Sequence, residues 1–192
     1  MRLTLNIILA FVIISCNNTN KISDDEYDIF SLLINELSIP LIAPPSFEEL
    51  NSPKKLLKAK DSLEYLVKNK KVNVLIYSRF QDISEESKKI VENEYKFSEL
   101  LEADVIGEEK LITKNNINLY FTDDPDTLKK KDLLKHDILL QFTKVYFNEN
   151  HNKAIVEVAN SRGSMSISKV LYFLKKVNDI WIIEKSKLLF IS

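Results

Sequence analysis

Two histidines, one cysteine and a short run of aspartates carry most of the chemistry this chain could perform. His136 stands beside Asp137, and an imidazole next to a carboxylate is a natural acid–base pair because histidine titrates near neutral pH. Adjacent residues point to opposite faces of a strand and diverge on a helix, so an exposed pair at the boundary of an element is the better reading. His151 lies within Asn148-Glu149-Asn150-His151-Asn152, a composition that predicts a turn. With no H-E-x-x-H spacing and no thiol to spare, the histidines point to no zinc site. Asp123-Asp124-Pro125-Asp126 offers hard oxygen ligands of the kind calcium prefers, but without the glycine and distal glutamate of a calcium loop. Asp before Pro initiates turns and helices, and that reading is preferred.

Other catalytic frameworks find little material. The two glycines, Gly107 and Gly163, are too far apart to build a phosphate-cradling loop, and no G-x-S-x-G sequence is present. Trp181, Phe173, Tyr172, Tyr146 and Phe142 could line a pocket in a curved sheet, although aromatics on alternating strands more often fill a core. The run Lys129-Lys130-Lys131 beside several aspartates reads as a solvated face rather than a lipid contact. No cofactor and no metal are expected.

The single cysteine, Cys16, closes Ile13-Ile14-Ser15-Cys16 after Met1-Arg2 and an apolar block from Leu3 to Ile14. One positive charge, a short apolar stretch and a small residue before the cut make a secretion signal. The block is shorter than the roughly 20 apolar residues a membrane span needs. Ile-Ile-Ser-Cys resembles the lipobox of bacterial lipoproteins. The resemblance implies cleavage before Cys16 and acylation of its sulfur, so that membrane lipid becomes the first partner. In many Gram-negative lipoproteins an aspartate after the cysteine retains the protein at the inner membrane. Asn17 stands there instead, which implies an outer-membrane destination on the periplasmic or surface face.

Removing residues 1–15 takes away Arg2 and no acid, leaving 26 basic residues against 28 acidic ones, a net charge of −2. Such a balance supplies no long-range field for nucleic acid, and no nucleic-acid partner is expected. With Cys16 lipidated no disulfide can form, so a hydrophobic core must hold the fold unaided.

Elements follow from the pattern of apolar residues. Residues 16–23 read as a lipidated tether, and residues 24–192 as one domain. Ser23 and Glu26 form an S-x-x-E capping box for a helix from Asp24 to Leu37 with Ile29, Leu32, Leu33 and Leu37 on one face. Pro40, Pro44 and Pro45 then extend the chain. Ser52 and Pro53 open a second helix whose stripe is Leu56, Leu57, Leu63, Leu66 and Val67, with Lys60 at its edge. Alternation of Val72, Val74 and Ile76 predicts a strand within 71–80, and a third helix is expected over Ser84–Glu102. Short strands are expected at Leu111-Ile112 and Ile117–Phe121, and a short helix around Leu128–Lys135.

Four β-rich runs then close the chain: Ile138–Phe147, Lys153–Asn160, Ser166–Lys176 and Ile180–Ile191, the last two joined by a hairpin turn at Asn178-Asp179. Together they predict an α+β fold, with a helical part over 24–135 packed on one face of an antiparallel meander of about four strands over 136–192.

This tail is similar to the C-terminal half of uncharacterised small bacterial lipoproteins. The residues that carry the likeness are Phe142 to Asn148, Ala154-Ile155-Val156, Leu171 to Lys175, Trp181-Ile182-Ile183 and Ile191-Ser192. Thr143 stands where that pattern has serine, and Phe190 where it has tryptophan. More broadly, the run resembles the nuclear-transport-factor-like fold, a curved sheet around helices, whose members include isomerases, hydrolases and binding proteins. The expected function is a membrane-anchored, non-catalytic binding or interaction module, of which a toxin-neutralising immunity protein is one form. The alternative is a small-molecule hydrolase or isomerase with a pocket in that sheet and His136 or a buried acid as base.

Overall fold

The computed structural model describes residues 23–40, 53–94, 97–99, 105–123, 135–162 and 166–191. Cys16, the apolar block before it, Asp124 to Asp126, Lys129 to Lys131 and the helix expected around Leu128 lie outside these residues.

Helix α1 (Asp24–Leu37) forms over the expected span. The Ser23 hydroxyl accepts from the Glu26 backbone, and the Glu26 carboxylate accepts from the Ser23 backbone at 2.8 Å, closing the capping box. Its Ile29, Phe30, Leu33 and Ile34 are fully buried, a wider apolar face than a strict i, i+3, i+4 count predicts. Helix α2 (Pro53–Asn69) also matches its expected start. Its stripe is left open, however, with Leu57, Leu66 and Val67 exposed.

Among the described residues eight strands form one mixed sheet, so the α+β class holds but the four-strand antiparallel meander does not. Strands β1 (Val72–Tyr77) and β3 (Ile117–Thr122) pair in parallel, as do β1 and β4 (Ile138–Phe142). The physical reason is visible in β1: Val74, Leu75 and Ile76 are all buried, and a strand covered on both faces suits a parallel interior. Strands therefore also occur within residues 24–135.

The expected strand Ile138–Phe147 divides. Thr143 to Val145 break it, and β5 (Tyr146–Asn148) resumes beyond. Both pieces pair with the same edge of β6 (Lys153–Ser161), so the sheet forks there into β4-β1-β3 on one side and β5 with β2 (Phe97–Glu99) on the other. The third helix, α3 (Glu85–Glu94), stops before β2 instead of running to Glu102, because Phe97 to Glu99 pair with Asn148 to Tyr146 across the fork. Nor is Leu111-Ile112 a strand. The Ile112 amide donates to Ser31 at 3.0 Å and its carbonyl accepts from Asn35 at 2.9 Å, so α1 side chains replace a neighbouring strand.

Beyond β6 the chain does form a meander of long strands, β7 (Ile167–Val177) and β8 (Ile180–Ile191). Asn178 and Asp179 turn it with φ of 50° and 61°, as the hairpin signal predicts. The helices cover both faces rather than one. Alternate residues of β6 explain why: Ala154, Val156 and Val158 join the core under α1, while Ile155 packs with Leu171 and Phe173 under Ile90 and Val91 of α3.

Candidate functional site

Among the described residues, the two histidines singled out from the sequence each pack on a different aromatic ring. His136 is half-buried and packs edge-on against Tyr120 with centroids 4.8 Å apart. The Asp137 carboxylate accepts from the Asn73 backbone at 2.8 Å, and the Asp137 amide donates to the Asn73 carbonyl at 2.8 Å, which ties the start of β4 to β1. His151 sits in the predicted turn at φ 49°, its ring stacked on Phe147 at 5.3 Å. Asp123 is exposed, and among the described residues no three His, Cys, Asp or Glu side chains converge as metal ligands. The aromatics are divided between the two cores. Phe142 and Trp181 are buried under α1 and Phe173 is buried under α3, while Tyr172 and Tyr146 are half-buried.

A buried polar cluster that sequence reasoning missed lies at the fork. Glu157 of β6 is 1% exposed. Its carboxylate accepts from the Ser84 hydroxyl and the Ser87 hydroxyl, each at 2.6 Å, and from the Ser84 amide at 3.2 Å. The Lys169 ammonium approaches its other oxygen at 3.0 Å. Burial alone would push this carboxyl up, but the Ser84, Ser87 and Lys169 contacts outweigh it and hold it below its ordinary value. A base so held is a poor proton acceptor. The cluster locks the start of α3 onto β6, with Thr143 Oγ1 accepting from the Glu157 amide at 3.0 Å.

A large opening lies elsewhere, where α1 and α2 end. A groove of about 550 Å³ is lined by Asn35, Ser38, Ile39, Pro40, Val67, Lys68 and the loop Lys114-Asn115-Asn116. That volume is within the range of small-ligand sites.

Helix ends leave unpaired carbonyls, and here they are taken by side chains. Arg162 donates to the carbonyls of Leu37 at 2.6 Å and Ile39 at 2.8 Å; burial pushes its guanidinium pKa down, and Asp137 opposes that. The Lys114 ammonium donates to the Asn35 carbonyl at 3.2 Å, and Asn116 donates to the carbonyls of Val67 and Lys70 at 3.3 and 3.1 Å. Lys71 reaches the Asn115 carbonyl at 2.9 Å. Among the described residues that line the groove, the charged groups are the ammonium groups of Lys68 and Lys114. A smaller cleft beyond Pro40 adds Lys70, Lys71 and Arg162 with Asp137.

One group in the groove wall stands out. Ser38 is 3% exposed, and its hydroxyl has no hydrogen-bond partner. Neither histidine is among the described residues that line the groove. A signal for this site does exist in the sequence. Residues 53–71 carry seven lysines against Asp61 and Glu64, a net of +5 in a chain whose total is −1.

No protein-family model, curated protein or solved structure matches this chain.

Proposed function

We propose that the chain is a lipid-anchored, non-catalytic binding module, acylated at Cys16 and held at the periplasmic or surface face of an outer membrane. Acylation of Cys16 makes membrane lipid its first partner, and the groove between the ends of α1 and α2 is its binding surface. The observation that supports the reading is the run Ile13-Ile14-Ser15-Cys16 ahead of a domain that carries an open groove at the end of its first helix. Only the seven residues Asn17 to Ser23 separate Cys16 from α1, a span of at most about 25 Å. The 14 residues of α1 span about 21 Å, and the groove lies at the C-terminal end of this helix.

Asp25 accepts from Lys176 at 2.7 Å and from the Trp181 indole at 3.1 Å, which fixes the first turn of α1 to the β7–β8 hairpin. Two or three acyl chains, at about 0.8 kcal/mol per buried methylene, make a stable attachment. Neutralising a toxin in the periplasm is one role such a module would fill.

Cell fractionation tests the reading. The wild-type chain should sediment with membranes and incorporate labelled palmitate. The Cys16→Ala chain should do neither and should accumulate as precursor. Palmitate in the Cys16→Ala protein would refute it.

A further inference from the structure

We propose that the groove takes a carboxylate carried on an apolar chain, with Ser38, Lys68 and Lys114 recognising the carboxylate. The inference rests on the groove being the binding surface and deepens that reading by naming its ligand class. Three independent features point the same way. First, the Ser38 hydroxyl is buried in the groove wall without a partner, although buried polar groups are almost always paired. A ligand that accepts from it would complete the set. Second, the ionised groups among the described lining residues, Lys68 and Lys114, are both cationic, and Lys70, Lys71 and Arg162 add positive charge in the adjoining cleft. Among the described residues the one carboxylate there, Asp137, is bonded to the Asn73 amide. Third, Ile39, Pro40 and Val67 supply an apolar wall beside the cations. A bare inorganic anion would leave that wall uncovered, whereas an apolar chain bearing a carboxylate covers it and meets the ammonium groups at once.

Titration of the isotopically labelled full chain in detergent with the blocked tetrapeptide acetyl-Leu-Glu-Leu-Glu-amide tests this. Saturable backbone shifts are expected at Asn35 to Ile39, Lys68 and Lys114, and the Leu-Gln-Leu-Gln peptide should bind at least about tenfold more weakly, the loss expected for a charge-assisted contact. Octanoate forms a second arm. Binding of octanoate as tight as that of the peptide supports a free carboxylic acid as the source, and weaker binding supports a protein-borne one. Equal affinity for the Glu and Gln peptides, absence of saturable shifts, or tighter binding of inorganic phosphate than of the peptide would overturn the proposal.

Two variants keep the test independent of folding. Lys68→Gln removes an exposed charge and should weaken the peptide about tenfold. Ser38→Ala removes an unpaired buried hydroxyl, so it should leave the thermal midpoint unchanged or higher while weakening the peptide. A Ser38→Ala chain that binds as before would overturn the role of Ser38. Acylation is separable from all of this: a chain that binds the peptide but carries no lipid refutes the anchor alone, and an acylated chain indifferent to the peptide refutes the ligand class alone.

Discussion

The Ser87 hydroxyl lies 2.6 Å from a Glu157 carboxylate oxygen, and both side chains are buried where the sheet forks. Ser84 and Lys169 complete the set, so a charge that would be costly in an apolar interior is met by hydroxyls, an amide and an ammonium. The contact joins the first turn of α3 to β6 at the point where β4 gives way to β5.

Glu157→Ala should therefore cost about 3 kcal/mol, because it removes the shared acceptor of the Ser84 and Ser87 hydroxyls and of the Ser84 amide and leaves the Lys169 ammonium without its carboxylate. Denaturant midpoints of the two proteins check this. An unchanged midpoint would mean that the cluster does not hold the fork.

The pH dependence of stability should have two limbs. Burial pushes the Glu26 carboxyl up from its ordinary 4.5, so as pH falls from neutral toward that range the folded state takes up a proton before the unfolded one and becomes more stable. Glu157 lies below its ordinary 4.5 and Asp25 below its ordinary 3.8, each despite burial. Ser84, Ser87 and Lys169 hold the first, Lys176 and Trp181 the second. Their stabilisation is complete above the unfolded values and is lost as pH falls through the folded ones. Thermal midpoints measured from pH 7 to pH 2 should rise slightly, then fall below about pH 4. Glu26→Gln should remove the rise while leaving the fall.

Trp181 is 4% exposed, with its ring edge-on to Phe147 and its indole N–H on Asp25. Trp181→Ala should cost about 3–5 kcal/mol. Trp181→Phe keeps an aromatic ring but loses the bond to Asp25, and should cost about 1–2 kcal/mol. Intrinsic fluorescence of this single tryptophan should report the same cooperative transition as circular dichroism. Non-coincident transitions would show that the β7–β8 hairpin does not fold with the domain.

The first helix and the last hairpin were legible because their signals are local. Ser23 with Glu26 and the two turn residues Asn178-Asp179 each specify a geometry within four residues of chain. What escaped was assembled over distance. Val72 pairs with Ile117, and Phe97 with Asn148, and no periodicity in either segment announces the partner. Phe97 was therefore assigned to a helix that ends at Glu94. The groove likewise draws on Asn35, Lys68 and Lys114, three segments that only the fold brings together. Its sequence trace was the run of lysines over 53–71, which a pattern reading of α2 absorbed as the polar face of a helix.

His136→Ala should leave physiological activity intact, because its ring packs on Tyr120 and does not line the groove. Once a deletion strain shows a phenotype, such as sensitivity to a neighbouring toxin, the variant should complement it at equal abundance. Failure to complement with normal folding and anchoring would favour the hydrolase or isomerase reading.

Acylation at Cys16 is the claim on which the anchor depends. Intact-mass and peptide mass spectrometry of the chain extracted from membranes test it directly. The account predicts a mature N-terminus at Cys16 carrying a diacylglycerol on sulfur, with residues 1–15 absent. A chain that still contains Leu3 to Ile14, or begins elsewhere with an unmodified Cys16 thiol, would contradict it.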